Sequence, residues 1–474
     1  MADLAAQGNG KSYKVPEQLP EGFFRTYDIR GDVGDDGIRE DVAYAIGLAV
    51  GSMAQDLNVN EIIVGRDGRL SGPALKSAII TGLRETGCQV VDIGVVSTPM
   101  LYFATNRLST NTGVMVTASH NPRDHNGFKV VLDGQTLSTQ GVQDILQRIK
   151  ARDFRKGDGG YSQADITDTY IDYISERVIL ERPLKVVVDC GNGAAAIAGT
   201  ALYRKMGCEV IELYCELDGN FPNHHPDPSV PENLQDIIAK VKETQADLGL
   251  AFDGDADRIG LITDQGEVIW PDRQTMLFVR DVLKRHPGAD IVFDVKCSSN
   301  LAKVITENGG TPVMYRTGHS LLKGKMLELG APLAGEMSGH IFFNDGWFGF
   351  DDGVYVGARM LQLLSQQSKT LSALFDELPT SVNTSELKLP MAEDKKQAFM
   401  QKLLKDADFG EVTKITIDGL RVDFGYGWGL IRPSNTSAYL ILRFEADTQQ
   451  HLDRIMQIFR EQLLAIDANL QLPF

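Results

Sequence analysis

One segment plan occurs three times in this chain, and that repetition limits its fold more than any other feature. Glu61-Ile62-Ile63-Val64 reads as a strand and GRDGRLSGP as a loop, and a helix follows with Leu75, Ala78, Ile79, Gly82 and Leu83 on one face. Pro73 opens that helix, Gly87 stops it, and QVVDIG is the next strand. The second copy runs KVVVD, loop CGNGAA, a helix to Met206, stop Gly207, then EVIELY. The third runs DIVFD, loop VKCSSN, a helix with Leu301, Val304 and Ile305, stop Gly309-Gly310, then TPVMY. Each copy leads on to a further strand and polar loop: VMVTASHNP (114–122), LAFDGDADR (250–258) and LAGEMSGH (333–340). Apolar β-rich runs alternating with helical periodicity predict parallel α/β units, in which ligands gather at the carboxyl ends of strands. From about residue 381 the pattern breaks. EVTKITIDGLRVDFG and SAYLILRFEA predict antiparallel strands, followed by a helix over 451–465, in a separate α+β domain.

Composition narrows the function. The chain carries 47 Lys and Arg against 64 Asp and Glu, a net charge of −17. Such a chain repels nucleic acid and anionic membranes unless it concentrates cations locally, and a phosphorylated substrate meets the same repulsion. Its five cysteines (Cys88, Cys190, Cys208, Cys215, Cys297) are scattered, odd in number and without CxxC spacing. That predicts reduced thiols in a cytoplasm, not a disulfide frame or a zinc site. The first twenty residues lack the apolar stretch of a signal peptide and read as a loose tail. No run approaches about 18 apolar residues, so no membrane span is expected.

Four short motifs carry chemistry. Thr117-Ala118-Ser119-His120-Asn121-Pro122 follows the apolar run Val114-Met115-Val116, which delivers a serine to a strand end, and Pro122 ends regular pairing. A serine hydroxyl is a weak nucleophile that needs a base or a stored phosphoryl group; the competing reading is a turn bonding its own backbone. Asp253, Asp255 and Asp257 in DGDADR place carboxylates at i, i+2 and i+4, which repel unless a cation joins them. Hard oxygen ligands at this density suit Mg²⁺ or Ca²⁺. An EF-hand is excluded: Arg258 stands where its glycine must be, Asp264 where its glutamate must be, and the flanks read as strands. A haloacid-dehalogenase-type run would need threonine in the fifth place, which Asp257 fills. The plain alternative is a solvated acidic turn. Gly335-Glu336-Met337-Ser338-Gly339-His340 offers an acid, a hydroxyl and an imidazole to hold sugar hydroxyls and move protons, unless it is merely a helix start capped by Ser338. Arg432-Pro433-Ser434-Asn435-Thr436 offers a guanidinium fork with hydroxyl, amide and backbone donors for an anion, with a β-turn as its alternative.

One motif points elsewhere. After a strand over 186–189, Gly191-x-Gly193-x-x-Ala196 opens a helix and Glu212 follows 21 residues past Gly191, close to a dinucleotide-binding fingerprint. The other copies keep the same plan without those glycines, so packing geometry accounts for them. An NAD(P)-dependent enzyme would also leave Ser119 and the three aspartates without a task.

Taken in order, TASHNP, DGDADR, GEMSGH and RPSNT resemble the α-D-phosphohexomutase superfamily, from about residue 23 to the end. FRTYDIRG (24–31), GRDGRLSGP, GEMSGH and GWFGFDDG are most similar to its bacterial bifunctional phosphomannomutase/phosphoglucomutase group. Phosphoglucosamine mutases, the nearer rival, usually carry an FGTDGIRG-like start and a glutamine where Met337 stands. The resemblance implies an α/β chain of four domains round a central cleft: three related mixed α/β domains and a C-terminal α+β domain like the TATA-box-binding protein. Their expected extents are 1–164 (phosphoserine loop), 165–267 (metal loop), 268–380 (sugar loop) and 381–474 (phosphate loop).

The resemblance also implies an activity, the interconversion of hexose 1-phosphate and hexose 6-phosphate in mannose and glucose forms; the enzyme is expected to be cytoplasmic and a monomer. Phosphoserine at Ser119 and a hexose 1,6-bisphosphate would be its intermediates. Asp253, Asp255 and Asp257 would hold Mg²⁺ against Ser119, with His120 and Arg258 stabilising the phosphoserine. Lys129, its pKa lowered by a desolvated site, and His340 are the candidates to move protons. Glu336 and Ser338 would grip the sugar 3- and 4-hydroxyls and ignore C2. Arg432, Ser434, Asn435 and Thr436 would hold the phosphate that is not reacting, with Tyr27, Arg30, Lys296 and His319 as further contacts. Arg30, Lys129, Arg258, Lys296 and Arg432 would answer the charge problem, since local cations with low-dielectric walls outweigh a diffuse charge. A sugar-phosphate or Ca²⁺ sensor using the same loops is the non-enzyme alternative.

Overall fold

The computed structural model describes residues 12–108, 110–434 and 438–474. Each copy of the repeat folds as its apolar pattern dictates. In the first, Glu61–Arg66 has Gln89–Val95 and Gly113–Val116 as parallel neighbours. The Gly72–Glu85 helix buries Leu75, Ala78, Ile79, Gly82 and Leu83, the face its spacing marks. Lys185–Asp189, Glu209–Leu213 and Leu248–Phe252 repeat the arrangement, as do Asp290–Asp294, Thr311–Tyr315 and Leu333–Gly335. Gly87, Gly207 and Gly309 take φ of 95°, 97° and 78°, a left-handed conformation that is cheap for glycine, so each copy's helix ends at the same place.

The units are mixed, not parallel throughout. His125–Leu132 returns antiparallel beside Gly113–Val116, and Ile259–Thr263 returns antiparallel beside Leu248–Phe252. The outgoing strands Gly113–Val116 and Leu248–Phe252 are buried at every position. The serine and aspartate loops are therefore connections at the carboxyl ends of buried strands, each pinned by the strand that comes back.

The CGNGAA segment settles the dinucleotide question by packing. It leads into a 3₁₀ turn, Ala194–Ile197, before the Gly199–Lys205 helix. A Cβ on Gly193 would stand 2.9 Å from the Gly254 carbonyl oxygen, so glycine is what lets this loop lie against the aspartate loop. Glu212 pairs with Arg204 at 2.7 Å on the surface.

By its contacts the chain divides into two units, Met1–Pro271 with Ser338–Leu374, and Asp272–Met337 with Phe375–Phe474. The first holds the two sheets built on the serine and aspartate strands. The second holds the parallel strands of the third copy and an antiparallel sheet in the order Val382–Asn383, Tyr439–Ala446, Gly427–Pro433, Leu420–Asp423, Thr413–Ile415, with Leu387–Pro390 also against Tyr439–Ala446. The helices Glu393–Asp406 and Gln449–Ile466 cover it, burying Leu403, Phe459 and Leu463 against Leu442 and Phe444. Among the described residues, no helix is long and apolar enough to cross a membrane.

Candidate active site

Ser119 takes φ of 51°, a left-handed conformation that a residue with a side chain keeps only when its surroundings hold it there. Arg69, in the loop after Glu61–Arg66, is the holder. Its buried guanidinium donates from Nη2 to the carbonyls of Ser119 (2.7 Å) and Asn121 (2.6 Å), and from Nη1 to those of Pro122 (2.6 Å) and His125 (2.9 Å). Asp67 completes the frame. It pairs with Arg69 Nε at 3.2 Å and accepts the Thr117 hydroxyl at 2.7 Å, and Thr117 Oγ1 accepts the Ser119 N–H at 2.9 Å. The motifs did not reveal this role: the only signal was the arginine pair of GRDGR, and its targets lie 50 to 56 positions along the chain.

The aspartate turn meets this loop. Asp253, Asp255 and Asp257 are buried and offer oxygens within 4.8 Å of one another. A Cβ on Gly254 would stand 2.3 Å from the Ser119 carbonyl oxygen, so only glycine allows the approach. Ser119 Oγ donates to Asp253 Oδ2 at 2.6 Å. Asp255 Oδ2 accepts from Thr98 at 2.6 Å and from Lys129 Nζ at 2.7 Å, and Lys129 also pairs with Asp257. Arg258 pairs with Asp253 at 3.1 Å. Three buried carboxylates thus meet two close cations, Lys129 and Arg258, and acid is in excess.

The excess has visible consequences. Burial raises the pKa of Asp253, Arg258 pulls it back, and Asp257 and Asp255 raise it again. Burial also works to raise that of Asp255, but Lys129 and Thr98 overcome it and hold the group ionised. Asp255 Oδ1 and Asp257 Oδ1 are buried without a hydrogen-bond partner among the described residues. Orphaned buried carboxylate oxygens are costly, and two of them in one all-oxygen cluster fit a hard divalent cation.

Lys129 corrects an expectation. Burial does work to lower its pKa, but Asp255 and Asp257 outweigh it and hold the ammonium well above its ordinary range. Lys129 therefore stands as a positive charge beside these acids. His120 is the converse: burial, then Arg258 and Arg30, push its imidazole well below the ordinary value, with Nδ1 at 3.2 Å from Ser119 Oγ. Arg30, on the Ile29–Asp32 strand, pairs with Asp28 and donates to Asn121 Oδ1 at 2.9 Å, and Tyr27 is half-buried just before it. His340 Nδ1 lies 2.9 Å from Asp351 Oδ2 and 3.7 Å from Asp257 Oδ1. Ser338 also belongs to this unit, its Oγ buried without a hydrogen-bond partner among the described residues.

The second unit assembles a different site. Asp294, ending its strand, accepts the Thr317 hydroxyl at 2.9 Å and the Met337 N–H at 3.3 Å, and lies 3.9 Å from Lys296 Nζ. Lys296 donates to Glu386 at 2.8 Å; burial works to lower its pKa, but Glu386, Asp294 and Glu336 hold it above its ordinary range. Asp418 accepts both the Thr317 N–H (2.9 Å) and Arg432 Nε (3.0 Å), tying Arg432 to the segment before His319, which opens the His319–Leu329 helix. Lys396 donates to the Ser434 carbonyl at 2.6 Å, and Glu336 is buried. Asn435 and Thr436 lie outside the described residues. Beneath these, Arg421 stacks 3.7 Å over the Trp428 ring and donates to the Val295 and Cys297 carbonyls at 2.5 and 2.8 Å. The VKCSSN loop is thereby fastened to the antiparallel sheet.

Known proteins can now be set beside this geometry. Residues 21–156, 168–266 and 270–382 match, in order, the alpha/beta/alpha domains I, II and III of phosphoglucomutase/phosphomannomutase, and residues 386–462 match its C-terminal domain. The chain is 53% identical over 456 residues to a phosphomannomutase/phosphoglucomutase of Pseudomonas aeruginosa, covering 96% of this chain and 98% of that one. It is 49% identical to a phosphoglucomutase of Neisseria gonorrhoeae, over 92% of this chain and 96% of that one. It is similar to the crystal structure of a phosphoglucomutase/phosphomannomutase family protein from Burkholderia thailandensis, with a TM-score of 0.92 and 49% identity over 96% of this chain and 99% of that one. Four domain matches in unbroken order, together with identity of this extent, mean that the chain belongs to the phosphoglucomutase/phosphomannomutase family.

Proposed function

We propose that this protein interconverts the 1- and 6-phosphates of glucose and mannose through phosphoserine at Ser119 and a hexose 1,6-bisphosphate. One observation carries the reading: the Ser119 hydroxyl stands 2.6 Å from Asp253 in an acid cluster with two orphaned oxygens. Ser119, Asp253, Asp255 and Asp257 would hold Mg²⁺, which when bound supplies positive charge against the phosphoryl oxygens.

Phosphorylated Ser119 gives its phosphoryl group to the C6 hydroxyl of hexose 1-phosphate: the bond from phosphorus to Oγ breaks as the bond to O6 forms. The bisphosphate turns over, and its C1 phosphoryl returns to Ser119. Arg258 and Lys129 hold positive charge beside the acids and the transferring group, and neutral His120 steadies the serine oxygen. His340 receives the proton of the attacking sugar hydroxyl. Glu336 and Ser338 take the 3- and 4-hydroxyls, which leaves C2 unread and admits both epimers. Arg432, Ser434, Asn435 and Thr436, with Lys296 and His319, take the non-reacting phosphate, and Tyr27 and Arg30 are further contacts. The work divides among four domains at 1–164, 165–267, 268–380 and 381–474. A cytoplasmic monomer acting on small sugar phosphates fits this chemistry.

The test is a substrate panel. Glucose, mannose and glucosamine 1-phosphates are each supplied with Mg²⁺ and a trace of the matching bisphosphate, and the 6-phosphates are measured. Conversion of the first two well above the third is expected; preference for glucosamine would replace the reading with a phosphoglucosamine mutase, and no product from any would end it.

A further inference from the structure

The GWFGFDDG segment, residues 346–353, takes no part in the chemistry above, yet it supplies the nearest carboxylate to His340. The strand Ile341–Phe343 follows His340, and an antiparallel bridge joins Phe342 to Asp351. The chain is thus folded back so that Asp351, 1% exposed, brings Oδ2 to 2.9 Å from His340 Nδ1, an ion-pair contact whose angle is not that of a hydrogen bond. Asp257, the other acid near this nitrogen, is farther, at 3.7 Å. The backbone at Asp351 is anchored from the next residue as well. Asp352 caps the Gly353–Ser365 helix by accepting the Tyr355 N–H at 2.9 Å, and it accepts the Tyr170 hydroxyl at 2.8 Å. Phe342 stacks near the imidazole, with centroids 6.4 Å apart and planes at 26°.

A neutral imidazole carries one N–H, and the partner of one nitrogen decides which nitrogen keeps the lone pair. A carboxylate cannot donate, so a carboxylate this close to Nδ1 favours the proton there and leaves the lone pair on Nε2. We propose that Asp351 is a positioning residue for His340: it holds the Nδ1–H tautomer and steadies the imidazolium that forms. The step balances simply. The sugar hydroxyl proton passes to Nε2 as its oxygen bonds phosphorus, and Asp351 stays ionised throughout. Asp257 is not suited to this role, because in the proposed function its oxygens serve the cation. The inference rests on the reading of His340 as the proton acceptor.

A double-mutant cycle tests it on the full chain, with glucose 1-phosphate, its bisphosphate and saturating Mg²⁺. His340→Ala is expected to lower kcat by about 10²- to 10⁴-fold, the usual worth of a positioned acid–base group. Asp351→Asn should lower kcat by about 10- to 100-fold with KM within about two-fold, as orienting partners of histidine do. In the His340→Ala protein the same change should cost less than about two-fold. Equal losses in both backgrounds, or a loss confined to KM, would overturn the proposal, since Asp351 would then act through the acid cluster or through folding. Full turnover of His340→Ala would remove the His340 reading and this inference with it. A depressed His340→Ala with an additive Asp351→Asn would remove the inference alone. If Asp351→Asn does not fold, Asp351→Ala is assayed with sodium formate. Formate should restore turnover when His340 is present and not when it is alanine; no rescue in either overturns the proposal.

Discussion

The two buried sites balance their charges differently. In the first unit, three carboxylates share Lys129 and Arg258, and two carboxylate oxygens go without hydrogen bonds. In the second, each cation is matched by nearby acid: Lys296 by Glu386 at 2.8 Å and Asp294 at 3.9 Å, and Arg432 by Asp418 at 3.0 Å. The Glu386 side chain is 37% exposed, whereas the three aspartates are sealed from water. An acid excess in a dry cluster asks for a cation. A buried lysine paired with a half-exposed carboxylate keeps its charge and can exchange that partner for an arriving phosphate. Ser119, the three aspartates and Lys296 all sit in loops at the carboxyl ends of parallel strands, and the second site adds Glu386, Asp418 and Arg432 from the antiparallel sheet and its loops, so one strand-end architecture serves both chemistry and grip.

Substitutions can break that contrast. Ser119→Ala should remove turnover by at least about 10³-fold, because the framed hydroxyl beside the acid cluster is lost, while thermal unfolding moves by no more than about 3 °C. Measurable turnover near wild type would put the chemistry elsewhere. Asp255→Asn, which keeps the shape and removes one charge, should lower kcat by about 10²- to 10³-fold and weaken Mg²⁺ binding in titration calorimetry. Unchanged Mg²⁺ affinity would show that the acid excess is not a metal site.

Arg69→Lys keeps a positive charge but loses the planar fork that reaches four carbonyls. The expected result is a fall in kcat of about 10- to 100-fold at nearly constant KM, and a stability loss of about 3 kcal/mol in urea unfolding from weakening a buried pair. Intact turnover would mean that the left-handed Ser119 needs no such frame. Arg432→Met should show the opposite split, with KM for hexose 1-phosphate raised about ten-fold and kcat falling less. Were its loss confined to kcat, the division between chemistry and grip would not hold.

The sequence marked the elements and the motifs because both rest on local pattern. Helix faces such as Leu75, Ala78, Ile79 and Leu83 follow from spacing, and the aspartates of DGDADR declare themselves because no apolar core tolerates three carboxylates without a cation. What stayed hidden depends on residues far apart in the chain. Arg69 serves carbonyls 50 to 56 positions away, Asp351 finds His340 through a bridge at Phe342, and Lys396 reaches Ser434 across 38 positions. The Glu393–Asp406 helix is hard to read for a related reason: Lys396 lies buried on its apolar face, where pattern reading expects a hydrophobe. Lys129 is legible in the sequence as a candidate, but its charge state is not. Desolvation alone would lower its pKa, and only coordinates show two carboxylates close enough to reverse that.

The smallest effect on turnover is expected at Asp352, and it sharpens the comparison from within the first unit. Asp255 and Asp352 are both buried aspartates, but Asp255 faces Lys129, while the partners of Asp352 among the described residues are neutral donors: the Tyr355 and Val354 N–H groups and the Tyr170 hydroxyl. Burial therefore wins at Asp352 and pushes its pKa up to about 7, with Asp351 adding to the rise. Unfolded, an aspartate titrates near about 3.9. Between these values the folded protein binds a proton that the unfolded chain does not, so this group makes stability fall as pH rises through the window and level off above it. Asparagine at 352 keeps a capping oxygen and an acceptor for Tyr170 but has nothing to ionise. The stability of Asp352→Asn relative to wild type should accordingly improve by a few kcal/mol, on the order of 1.4 per unit of pKa shift, between pH 4 and pH 8. Urea unfolding of both proteins at several pH values measures it. Parallel curves would mean that Asp352 is ionised in the fold, and that a hydroxyl and an amide can do for a buried acid what Lys129 does for Asp255.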